Sequence, residues 1–151
     1  VQNVTNLIEN LDHLIRSVPA ELSLLTEEEF NRKASPSKWS KKEILGHLCD
    51  SAANNHYRFM KIMTDDQPVR IESYNQDLWV SLHGYQADYS HTELIRLWGG
   101  LNKQIACVWK NAEEKKFDQE VILPDGTSVT LEWLAGDYLD HTRHHLDQIL
   151  I

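Results

Sequence analysis

Apolar residues recur at helical spacing in four long stretches of the chain, and each stretch predicts a helix. The first runs from about Val4 to Leu25, with Val4, Leu7, Ile8, Leu11, Leu14, Ile15 and Val18 along one face. Pro19 lies inside it, so a kink or break is expected near Val18. Thr26-Glu27-Glu28-Glu29 has the form of a capping box and opens a short helical turn. The second stretch starts at a similar box, Ser40-Lys41-Lys42-Glu43. Ile44, Leu45, Leu48, Ala52, Phe59, Ile62 and Met63 follow, predicting a helix over about 41–64. The mixed segment from Asp65 to Tyr89 reads as a crossover with one short helix near Asn75–Leu82. Ser90-His91-Thr92-Glu93 is a further box, opening a helix through Leu94, Leu97, Trp98, Leu101, Ile105 and Val108 to about Asn111. Gly99 and Gly100 cost that helix roughly 1 kcal/mol each against alanine, and close packing of a neighbouring helix is the expected compensation.

Beyond it, Glu120–Leu123 and Ser128–Thr130 flank Pro124-Asp125-Gly126, which reads as a turn within a small hairpin. Thr130 can cap the last helix, Leu131 to Leu150. The pattern predicts an all-α fold, a four-helix bundle with one long crossover, in a single domain over residues 1–151.

Length and composition narrow this picture. A chain of 151 residues with 41% hydrophobic and 25% charged residues has the balance of one soluble globular domain. No apolar run approaches the ~20 residues of a membrane-spanning helix, and no basic segment followed by an apolar one resembles a signal peptide. A cytoplasmic protein with no membrane partner is expected, and residues preceding Val1 are expected because the chain opens without methionine. A formal net charge of −8 argues against nucleic-acid binding, which needs clustered Lys and Arg. Cys49 and Cys107 both fall in helical patterns and are expected to be reduced, buried thiols. Eight histidines are the compositional anomaly.

Three of those histidines lie on the last helix. His141 and His145 are only about 40° apart around the axis and about 6 Å along it, close enough to converge on one ion. They form the H-x-x-x-H spacing of helical zinc sites, without the adjacent glutamate of the metalloprotease motif. His144 is an alternative i, i+3 partner of His141. Asp137, one turn earlier, reads as a fourth ligand, an acceptor orienting the His141 ring, or a surface residue. On the second long helix, His47 heads a polar stripe with Ser51, Asn54 and Arg58, which predicts a cavity or an ion inside the bundle. Cys49 points away from His47 and reads as a core thiol. His13, His56, His83 and His91 read as surface or packing residues. Tyr74, Asp77 and Trp79 either wall a pocket or pack the crossover.

The blocks Trp39-Ser40-x-x-Glu43-Ile44-Leu45-Gly46-His47-Leu48-x-Asp50-Ser51, then Asn54-Asn55-His56-x-Arg58-Phe59, and finally Tyr138-x-x-His141-x-x-His144-His145-x-x-Gln148 resemble the DinB/YfiT-like superfamily over nearly the whole chain. The resemblance implies an up-down-down-up four-helix bundle and a metal triad of His47, His141 and His145. It also implies a homodimer, with Trp98, Trp109 and Trp133 as aromatic candidates for the contact or for the core. Three neutral imidazoles suit Zn or Ni, with Fe, Co or Mn as further choices, and leave a position open on the ion. The expected function is a metal-dependent hydrolase or a thiol S-transferase that acts on a small molecule, such as a low-molecular-weight thiol. A non-catalytic metal- or ligand-binding stress-response protein is the alternative. Asp50 and Asp137 are the candidates for acid–base work, and Asn54, Arg58 and Gln148 for holding substrate.

Overall fold

A computed structural model of the chain describes residues 3–151; the expectation about what precedes Val1 lies outside them. Four long helices form the bundle: α1 (Val4–Ser23), α3 (Lys41–Met63), α6 (His91–Asn111) and α7 (Leu131–Leu150). Short helices α2 (Glu27–Asn31), α4 (Gln76–His83) and α5 (Tyr85–Asp88) lie in the connections. The start signals act as read: Thr26, Ser40 and Ser90 each close a reciprocal capping box, and Thr130 accepts from the Trp133 backbone N–H.

Helix directions follow from the contacts. The His91 ring meets the Leu22 carbonyl and Lys110 pairs with Asp12, so α1 and α6 run antiparallel. The Lys41 ammonium donates to the backbone of Ile151, setting α3 antiparallel to α7. Ser40 bonds Gln86 just ahead of α6, and Phe59 stacks edge-on to Trp109 near the far ends, so α3 and α6 are parallel. The result is the up-down-down-up bundle. Parallel α3 and α6 need a long crossover, and residues 64–90 supply it, carrying α4 and α5.

Two expected weak points hold for energetic reasons. α1 runs unbroken through Pro19 to Ser23. Interior proline costs about 3 kcal/mol, whereas Val18 and Leu22 on either side are both buried, at about 1.5–3 kcal/mol each. In α6 the expected close neighbour of Gly99 and Gly100 is absent: a Cβ at either would meet nothing within 4 Å. That helix is held from its other face by buried Leu94, Ile95, Trp98 and Ile105.

The hairpin forms as expected from β2 (Glu120–Ile122) and β3 (Ser128–Thr130), with Gly126 at φ 90° in its turn. A third strand, β1 (Val69–Arg70), was not legible. It pairs in parallel with β2, Val69 opposite Val121, and so ties the crossover to the hairpin. Trp98 and Trp109 are fully buried in the core, which removes them as candidates for a subunit contact. Both cysteines are free; Cys49 is buried as expected, but Cys107 is exposed because it lies on the outer face of α6.

Candidate metal centre

The centre lies on the seam between α3 and α7. His47 stands two turns into α3, buried, with its ring beside Trp39. Gly46 precedes it because the Tyr85 ring lies so close to α3 that a Cβ there would overlap the ring. Across the seam, His141 and His145 project from successive turns of α7 and are partly buried. One ligand atom from each of the three lies within 4.8 Å of the others. The Nε2 atoms of His47 and His141 are 3.3 Å apart. Two nitrogens bound to one zinc ion at tetrahedral angles lie about 3.3 Å apart, so this edge of the cluster already has the span of a shared ion.

Protonation favours the same role. Burial first, then the neighbouring His141 and His145, hold the His47 imidazole down at about 4. His141 is likewise held at about 4, by burial and then by His145 and His144. Both rings are therefore neutral at pH 7 and keep a lone pair to give a metal. The His145 Nδ1 is 2.8 Å from Gln148 Oε1, so its N–H donates there and Nε2 is left as the ligand atom. Gln148 thus supports His145 and is not among the residues lining the cavity described below. Its amide also contacts His144, which is exposed and outside the cluster. His47 Nδ1 is buried with no partner among the described residues.

A cavity of about 290 Å³ opens beside His141. Ser51, Asn55 and Arg58 of α3 form one wall, Leu134, Asp137 and Tyr138 of α7 another. The crossover contributes Tyr74, and the hairpin Leu123 and Pro124. Arg58 is held by the Glu72 carbonyl, by Asn55 Oδ1 at 3.5 Å and by the Tyr74 ring, 6.0 Å from its centroid. Burial raises the Asp137 carboxyl above the usual range, with Asp140 adding to the effect.

Two expectations about this wall need correction. Asn54 is not part of it: its amide bonds back to the Asp50 carbonyl and it faces a neighbouring cavity. Asn55 takes the place instead, because α7 follows the i, i+4, i+8 ridge His47–Ser51–Asn55 rather than the straight line of a helical wheel. Asp50 is not at the cavity either. Its Oδ1 accepts from the Tyr85 hydroxyl at 2.6 Å and from His83 Nδ1 at 2.9 Å, anchoring the crossover to α3. Trp133, read as a contact or core residue, is half exposed on the cavity rim. Asn55 stands in the motif blocks and Trp133 among the aromatic candidates without these roles, which depend on the hairpin and crossover that close over them. Tyr74 does wall the pocket, with Trp79 packed on its ring, while Asp77 is exposed.

The DinB superfamily model matches residues 11–149. The chain belongs to the DinB superfamily. Among its relatives, a protein of Halalkalibacterium halodurans is 25% identical over 139 residues, covering 89% of this chain and 80% of that one. YfiT of Bacillus subtilis is 25% identical over 142 residues, covering 90% of this chain and 78% of YfiT. Both carry the name of candidate metal-dependent hydrolases. The YfiT structure, described as a four-helix bundle of unusual topology, superposes with a TM-score of 0.82 at 21% identity, covering 97% of this chain and 83% of that one. The bundle is thus the superfamily's fold. Among the described residues no helix is long and apolar enough to cross a membrane.

Proposed function

We propose that this protein is a metal-dependent hydrolase of small molecules whose divalent ion is held by His47, His141 and His145. The observation that carries the reading is the convergence of three histidine nitrogens within 4.8 Å at the wall of a cavity. The donor set fits a transition metal: imidazole nitrogen only, two of the rings kept neutral by burial, one oriented by Gln148. Zn or Ni suits it first, then Fe, Co or Mn. Bound there with a position open, such an ion supplies Lewis acidity and lowers the pKa of a coordinated water or thiol.

The chain's own residues supply the rest. Arg58 binds a polar or acidic part of the substrate, and Trp133 and Leu134 shelter its apolar part from water. Asp137, with its carboxyl raised by burial, is the group placed to hold or release a proton at the cavity wall. Asp50 is a positioning residue, since its Oδ1 is held by Tyr85 and His83. The open position equally admits a low-molecular-weight thiol, and three neutral ligands, which leave the ion its full charge, favour binding of a thiolate. The family resemblance also supports a homodimer.

Elemental analysis of protein purified without a metal-affinity tag tests the centre. About one transition-metal ion per chain is expected, falling to near zero in His141→Ala with the helical circular dichroism retained. Unchanged metal content in that variant refutes the assignment. A screen of small esters and amides, with and without thiol cosubstrates, separates hydrolysis from thiol transfer. A folded, metal-loaded protein inactive throughout points to the non-catalytic alternative.

A further inference from the structure

The chain carries a net charge of −8, yet cations gather at one place beside the candidate centre. Arg58 and Lys61, on the last turns of α3, and Arg70 of β1 line a second cavity of about 300 Å³. It shares Arg58 and Tyr74 with the cavity at His141. Among the described residues none of the three cations makes an ion pair. Glu72 is the one acidic residue in that lining, so three cations against one carboxylate leave a positive balance there on an otherwise acidic molecule, which draws anions to this mouth.

Arg58 is the cation with access to both cavities. Its partners are all neutral: the Glu72 carbonyl, the Asn55 side-chain oxygen and the face of Tyr74. A guanidinium has five N–H donors, so several remain unused. Burial lowers its pKa, the mark of a charge without a counter-ion. A half-buried charge with no partner is costly to keep, whereas a carboxylate arriving from outside meets a preformed fork able to take it with two hydrogen bonds.

The remaining wall sets what the anion is attached to. At a rise of about 1.5 Å per residue, the Arg58 backbone lies about 16 Å along α3 from His47. Arg58 and His141 both line the first cavity, and Leu123, Pro124, Trp133 and Leu134 are apolar parts of its lining. About 290 Å³ is the size for one small molecule. We propose that the substrate is a small organic acid, its carboxylate paired with Arg58, its apolar body against Trp133 and Leu134, and its reacting group turned toward His141. The direction of the reacting group rests on the metal-centre reading; the carboxylate subsite does not.

The test is calorimetric binding of phenylacetate, its neutral analogue phenylacetamide and phenyl phosphate to the zinc-loaded full chain. Phenylacetate is expected to bind at least about tenfold more tightly than phenylacetamide, as a charge-assisted hydrogen-bond pair requires. Arg58→Met should bring the two within about twofold while leaving zinc stoichiometry unchanged. Arg58→Gln, which keeps an amide donor for the Glu72 carbonyl, should do the same and guards against misfolding of the first variant. His141→Ala should lose zinc and keep the preference. Equal affinities in the wild type, or a preference that survives in both Arg58 variants, overturns the proposal. So does a preference that disappears in His141→Ala, which would place the carboxylate on the ion, and so does tighter binding of phenyl phosphate than of phenylacetate. Zinc retained by His141→Ala would refute the metal centre alone.

Discussion

Helices α1 and α3 occupy equivalent positions in the bundle, each packed against both α6 and α7, yet they bury opposite kinds of surface. The buried face of α1 is Leu7, Leu11, Leu14, Val18 and Leu22, apolar throughout. The buried face of α3 includes His47, Asp50, Ser51 and Asn55 among its leucines. A buried polar group costs free energy unless it is satisfied, and α3 finds partners for its own both in the crossover and within the bundle. Tyr85 and His83 of the crossover hold Asp50, and Asn55 bonds back to Ser51. The crossover is thus more than a tether between parallel helices. It supplies the hydrogen-bond partners and the cavity wall that make a polar α3 tolerable. One helix contributes cohesion and the other contributes chemistry.

If that division is correct, damage to the two helices separates stability from metal binding. Leu11→Ala should cost about 2–5 kcal/mol of stability, through lost burial and the cavity left behind, while metal stoichiometry stays at the wild-type value. Denaturant unfolding paired with elemental analysis checks both, and metal lost in the folded Leu11→Ala protein would erase the contrast. On the α7 side of the chemical seam, Gln148→Ala frees the His145 ring to turn. Metal affinity should fall roughly 10- to 100-fold with the unfolding midpoint of the metal-free protein nearly unchanged. Competition with a chromophoric chelator measures this, and an unaltered affinity would deny Gln148 its positioning role.

A third test is the pH dependence of the metal-free protein. His47 and His141 are held at about 4 in the folded chain, against 6.5 as the ordinary value. Above pH 6.5 the rings are neutral in both states and their contribution is constant. As pH falls from there to about 4, the unfolded chain takes up protons that the folded one resists, so stability declines across that window. Unfolding midpoints at pH 7 and pH 5 should show the decline, and His141→Gln should flatten it. An equal slope in that variant would mean that other groups carry the titration.

The sequence by itself determined the four long helices, because an amphipathic period of 3.6 and a capping box are local signals that tertiary context had no reason to override. It also determined the His141/His145 pair, since i, i+4 spacing on a helix fixes proximity before any packing occurs. His47 entered through resemblance, and only the packing of α3 on α7 brought its Nε2 to 3.3 Å from His141. Only tertiary structure decided that Asn55 rather than Asn54 faces the seam, because the choice depends on which ridge the neighbouring helix follows. It also turned Asp50 toward the crossover, moved Gln148 behind His145 and put Trp133 on a rim built from the hairpin and the crossover. Each of those outcomes joins residues far apart in the chain, and no local pattern encodes the distance between them.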